Sequence, residues 1–116
     1  MNKILCRKGD ACSFFVSVSG GMPLDTRYDK ARFQVREAWD SARPLLLAVD
    51  DTTGITIDHA NARVQVVIGA QATQSLGVTA PRLVAAQLRL YNSADADDCL
   101  SWPIEFVLMP AVISNG

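Results

Sequence analysis

The 116-residue chain has almost no charge of one sign to spare. Eleven Lys and Arg stand against twelve Asp and Glu, for a formal net charge of −1 at pH 7. Such a balance leaves no electrostatic footprint for gripping nucleic acid or an anionic membrane surface. There is a single histidine, His59, so any chemistry that needs an imidazole base must use it. No Gly-x-Ser-x-Gly elbow occurs, since Ser75-Leu76-Gly77 follows Gln74, and no Gly-rich phosphate loop is present. No window is apolar for long enough to span a bilayer, and no apolar run behind residues 1–3 resembles a secretory signal. The expectation is a non-enzymatic protein with no cofactor and no nucleic-acid or membrane partner, assembled in a reducing cytoplasm.

Cysteine is scarce and odd in number: Cys6, Cys12 and Cys99. An odd count argues against a disulfide framework, and no pair has Cys-x-x-Cys spacing for zinc. Cys6 and Cys12 flank a turn, so all three are expected as buried or half-buried thiols. Asp95, Asp97 and Asp98 form the densest acid cluster, with Asp50 and Asp51 a smaller one. Neither carries the glycine and closing glutamate of a twelve-residue calcium loop, and a solvated loop is the expected role. His59 lies between Asp58 and Ala60 in what reads as a solvated turn.

What the chain has is apolar residue, 49% of the total, laid out with period two. Phe14, Val16 and Val18 alternate with Phe15, Ser17 and Ser19. Phe33 and Val35 alternate with Arg32, Gln34 and Arg36. Ile55 and Ile57 oppose Thr56 and Asp58, and Val64, Val66 and Ile68 oppose Arg63, Gln65 and Val67. Val84, Ala86, Leu88 and Leu90 then face away from Ala85, Gln87 and Arg89, while Trp102, Ile104, Phe106 and Leu108 oppose Ser101, Pro103, Glu105 and Val107. In a strand each such set lines one face. With residues 4–7 and 45–49 the count reaches about eight strands, as in a two-sheet sandwich.

Turn chemistry separates these runs. Gly9-Asp10 ends the first, and Gly20-Gly21-Met22-Pro23 closes the second. Arg43-Pro44 opens an extended segment. Asp50-Asp51-Thr52-Thr53-Gly54 and His59-Ala60-Asn61 read as hairpin connections, and 92–98 as a polar loop. Residues 71–76 predict one helical turn, with Gly77 as its cap. Pro103 removes a backbone donor, which predicts an edge or a bulge in the last strand. A single sandwich over 1–110 with a short tail, 111–116, is the expected organisation.

The order of these pieces resembles the small immunoglobulin-like β-sandwich of tailed-phage virion proteins, notably the N-terminal domain of baseplate upper proteins and related tail-fibre attachment domains. The resemblance rests on Arg7-Lys8-Gly9-Asp10 closing a first strand and on an apolar strand from Phe14 to Val18. It continues through Gly21-Met22-Pro23-Leu24-Asp25 at a Gly-x-Pro-Leu-Asp turn and the strand Phe33-Gln34-Val35-Arg36. The hairpin from Ile55 to Ile68 leading into Thr73-Gln74-Ser75-Leu76, and a close at Pro110-Ala111-Val112-Ile113, complete it. Ser101-Trp102-Pro103 replaces the glycine usual before the last strand. The order Cys12, Trp39, Cys99 does not match the antibody spacing, and Asp97 stands where a corner tyrosine would be.

The resemblance implies an immunoglobulin-like antiparallel β-sandwich of seven to eight strands with one short helical turn. It also implies a virion structural role in baseplate or tail-fibre attachment, with capsid decoration or a head–tail junction as the alternative. Expected partners are other virion proteins and copies of the same chain. Phe15, Leu46 and Val67, set opposite the inferred core faces, are the candidate contact positions, together with Ala111, Val112 and Ile113 of the tail. A carbohydrate-binding module is the alternative of another class, with Trp39, Trp102, Tyr28 and Tyr91 as stacking candidates.

Overall fold

A computed structural model describes residues 4–18, 23–36, 45–74, 76 and 80–110. Eight strands and one helix occur among them: β1 (Ile4–Arg7), β2 (Cys12–Ser17), β3 (Lys30–Arg36), β4 (Leu45–Asp50), β5 (Ile55–Asp58), β6 (Arg63–Ile68), α1 (Ala70–Gln74), β7 (Arg82–Asn92) and β8 (Asp95–Met109). They make a five-stranded sheet in the order β1-β8-β7-β3-β4 and a three-stranded sheet in the order β2-β6-β5. The chain is an all-β sandwich. Its order, β2-β6-β5 against β8-β7-β3 with β4 added outside β3, is the immunoglobulin-like arrangement.

Alternation translates directly into layers. Phe33 and Val35 in β3, Leu88 and Leu90 in β7 and Phe106 and Leu108 in β8 are buried, as are Val64, Val66 and Ile68 in β6. The two sheets meet on three rings. Phe14 of the small sheet lies edge-on to Phe33 of the large one at 5.4 Å between centroids. Phe106 completes the cluster, 5.6 Å from Phe33 and 6.2 Å from Phe14. Tilted and edge-to-face contacts at these separations are favoured by the ring quadrupoles, about 0.5–1.5 kcal/mol per pair beyond burial.

Several expectations change at the connections. One ladder is not antiparallel: β1 runs parallel to β8, with Ile4 beside Phe106 and Arg7 beside Met109. Residues 50–54 are not a hairpin, because β4 and β5 belong to different sheets. The Asp50 carboxylate accepts from the Thr52 N–H at 2.9 Å and from the Thr52 and Thr53 hydroxyls, which drives the chain around the corner. Gly54 is required there, since a Cβ on it would run into the Val67 carbonyl. Residues 59–62 do join antiparallel neighbours, as expected of a hairpin.

The polar stretch 92–98 is mostly strand. Ser93 and Ala94 make the tight turn, and β8 starts at Asp95 with an irregular register between Tyr91 and Asn92. Asp29 holds this turn by accepting from the Ser93 N–H at 2.9 Å and hydroxyl at 2.7 Å. Pro103 pairs across from Gln87 of β7, and β1 joins β8 only from Phe106 onward. Among the described residues Pro103 is thus paired on the β7 side alone, a placement that suits a residue without a backbone donor.

The helix covers Ala70–Gln74, with Leu76 buried just beyond it and Gly77 outside the described residues. Its Thr73 is fully buried. The Thr73 hydroxyl donates to the Asp10 carbonyl at 2.8 Å and accepts from the Gly9 N–H at 3.1 Å. Gly9 has φ of 88°, so the 8–11 turn between the two sheets combines a left-handed glycine with a side-chain clasp.

Truncation of the central rings tests this core. Phe33→Ala and Phe106→Ala, both fully buried, are expected to lose about 3–5 kcal/mol in urea unfolding. Gly54→Ala is expected to cost a further class of strain, about 1–3 kcal/mol, with no cavity formed. A loss under about 1 kcal/mol at Phe33 would contradict the ring cluster as the sheet-to-sheet contact.

Candidate interaction surface

Apolar side chains that the two layers do not absorb mark the surface. Phe15 and Val67 are 55% and 39% exposed, on the outer face of the small sheet as expected. Val67 sits beside Ser13, and Phe15 beside Gln65, so the two are diagonal neighbours. The Arg63 guanidinium lies over the Phe15 ring, 4.6 Å from its centroid.

Leu46 is placed differently from the expectation. It packs half-buried against the core, and Leu45 is the exposed leucine at 44%. The cause is a register shift between Val35 and Arg36 of β3, which pair with Leu47 and Leu45 respectively. Leu46 is the extra residue of that irregularity, and simple alternation fails across it. Ala111, Val112 and Ile113 lie outside the described residues, as does Trp39.

The most exposed leucines were not singled out by alternation. Leu5 of β1 is 61% exposed and Leu83 of β7 is 63% exposed. Both pair with half-buried Val107 of β8, so Leu5, Val107 and Leu83 form one row across three adjacent strands. Sheet pairing brings together residues 78 positions apart (83 − 5). The outward setting of Val107 was readable from period two. Its neighbours required the strand order.

A cleft of about 300 Å³ opens on the side of the sandwich, lined by Ile4, Phe15, Val16, Ser17, Trp102, Pro103 and Ile104. Among the described residues it lies between β2, which pairs with β6 alone, and the stretch of β8 that precedes its pairing with β1. Trp102 is half-buried against the core rather than wholly inside it.

The polar residues singled out from sequence hold loops together. His59 Nε2 lies 2.9 Å from the Tyr28 carbonyl, and the His59 carbonyl accepts from the Leu24 N–H at 2.8 Å. His59 therefore straps the 24–28 segment to the β5–β6 turn and is more engaged than a solvated turn histidine. The Tyr28 hydroxyl donates to Asp98 at 3.0 Å and accepts from Arg27 at 2.9 Å. Asp98 is thus engaged by Tyr28, while the Asp95 carboxylate accepts from the Asp97 N–H. No cluster of three His, Cys, Asp or Glu side chains able to hold a metal occurs among the described residues. No helix there is long and apolar enough to cross a membrane.

Cys6 and Cys12 flank the 8–11 turn, and the Cys12 Sγ lies 3.7 Å from the carbonyl of Leu5, the residue before Cys6. The neighbouring Cys12 thiol and burial push the Cys6 thiol well up, while Cys12 is drawn down by Cys6. No protein-family model matches the chain, and no curated protein matches it.

Three surface carboxyls are held below the ordinary aspartate range by donors. These are the Ser93 hydroxyl and N–H at Asp29, the Thr52 hydroxyl and N–H at Asp50, and the Asn61 side-chain amide and N–H at Asp58. A folded pKa lower than the unfolded one stabilises the fold above the unfolded value of about 3.9 and is lost as pH falls through the folded value. Urea midpoints are expected to be level from neutral pH to about 5 and to drop below about 4. Asp29→Asn should flatten part of that acid limb. An unchanged limb would contradict the assigned role of the Ser93 donors.

Proposed function

We propose that the chain is a non-enzymatic structural adaptor of a tailed-phage particle, a baseplate or tail-fibre attachment component. It works by contact between its sheet surfaces and other virion proteins, including copies of itself. The observation that carries this reading is the exposed row Leu5, Val107 and Leu83, crossing three strands of one sheet. Two leucines more than half exposed beside a half-buried valine are costly to keep in water and suit a protein neighbour. The sequence resemblance supplies the virion context. A net charge of −1 adds little repulsion between copies packed side by side.

A carbohydrate-binding role has one observation in its favour, since Trp102 and Phe15 both line the lateral cleft. Among the described residues that line it, Ser17 is the only one with a hydroxyl side chain, whereas sugar recognition needs several polar partners around an aromatic platform. The adaptor reading therefore takes precedence.

Quantitative mass spectrometry of purified particles from the source of this chain is expected to find it as a multicopy structural component. Its absence from particles would overturn the virion assignment. For the purified chain, sedimentation velocity should show association that grows with concentration and is weakened by Leu83→Asp. Because Leu83 is exposed, that variant should unfold at an unchanged urea midpoint. A wild-type chain that stays monomeric alone and with every other structural protein of the particle would remove the apolar row as the contact.

A further inference from the structure

Cys6 is the third residue of β1 in the large sheet, beside Leu108, and Cys12 opens β2 in the small sheet, beside Ile68. The strands are joined by the 8–11 turn, which Thr73 pins at Gly9 and Asp10. Both cysteines are buried, and the Cys12 Sγ lies 3.7 Å from the carbonyl of Leu5, the residue that precedes Cys6. Cys99 is remote from this pair. It stands nine residues before Leu108 on β8 (108 − 99), roughly 30 Å away at about 3.3 Å per residue. Its sulfur accepts from Arg89 at 3.1 Å.

We propose that Cys6 and Cys12 are a redox-active dithiol that closes to a disulfide, a covalent clasp between the two sheets, with a disulfide compound as oxidant. The odd cysteine count is thereby resolved into a pair and a single thiol. Cys12, favoured as the thiolate by Cys6, attacks one sulfur of the oxidant. The oxidant S–S bond breaks and one thiolate leaves. Cys6 then gives up its proton and attacks the Cys12 Sγ, forming the Cys6–Cys12 bond and expelling the second thiolate. Two protein S–H bonds are replaced by one S–S bond, and the oxidant leaves as two thiols carrying both electrons and both protons. The reduced form holds all three as free thiols. This inference does not depend on the virion role.

The full chain is incubated with oxidised glutathione under native conditions, then assayed by thiol counting and intact mass. The expected product has one free thiol, a mass lower by about 2 Da and no added glutathione. Its melting temperature should exceed that of the reduced form by roughly 5–10 °C, through the shortened freedom of the unfolded chain. Cys6→Ser should stop at a glutathione adduct on Cys12, and Cys99→Ser should still close the pair. A wild-type chain that keeps three thiols, or that stops at the adduct, overturns the proposal. An oxidised form no more heat-resistant than the reduced one overturns its role as a clasp.

Discussion

Three phenylalanines hold the two layers of this sandwich in register. Phe14 is the small sheet's contribution, and Phe33 and Phe106 are the large sheet's, all within 6.2 Å of one another. Antibody domains place a disulfide and a tryptophan across the equivalent layers. Here the same task falls to rings in non-bonded contact, so the frame depends on shape and burial. Around that cluster the faces sort themselves: β6 buries Val64, Val66 and Ile68, and β7 buries Val84, Ala86, Leu88 and Leu90, with Ala85 the one residue of its other face that is also buried. Everything presented outward, including the apolar row, inherits its position from this contact.

The layers were legible in the sequence because burial of one strand face enforces period two. The alternation through Phe33 and Val35, Val64 to Ile68 and Ile104 to Leu108 names the core almost residue by residue. Connections were less legible, because turn residues encode a change of direction and not its destination. Asp50 to Gly54 carries the same side-chain signals whether the next strand pairs with the last or crosses to the other sheet. Leu46 departs from strict alternation for a local reason, since one extra residue in a ladder inverts the faces beyond it. The polar 92–98 stretch read as loop because its strand ends project past the core, where nothing apolar is needed to specify them.

The proposed contact surface was legible only in part. Phe15 and Val67 stand out within their own strands, opposite a clear core face. Leu5 and Leu83 are unremarkable in sequence, and only the β1-β8-β7 order sets them either side of Val107. The juxtaposition of Cys6 and Cys12 is of the same kind. Two cysteines flanking a Gly-Asp turn hint at proximity, but a turn that joins two sheets differs from one that ends in a hairpin. Pairwise placement of this sort is set by topology, which single-strand patterns do not contain.

Sheet and surface together describe a sandwich with outward apolar side chains, and the proposal is that protein neighbours cover them. Hydroxyl-radical footprinting, comparing the isolated chain with assembled particles, addresses that claim at the level of single side chains. Oxidation of Leu5 and Leu83 should be strong in the isolated chain and fall sharply on assembly, while the buried rings Phe33 and Phe106 stay unlabelled in both. Equal labelling of the two leucines before and after assembly would contradict the role given to this face.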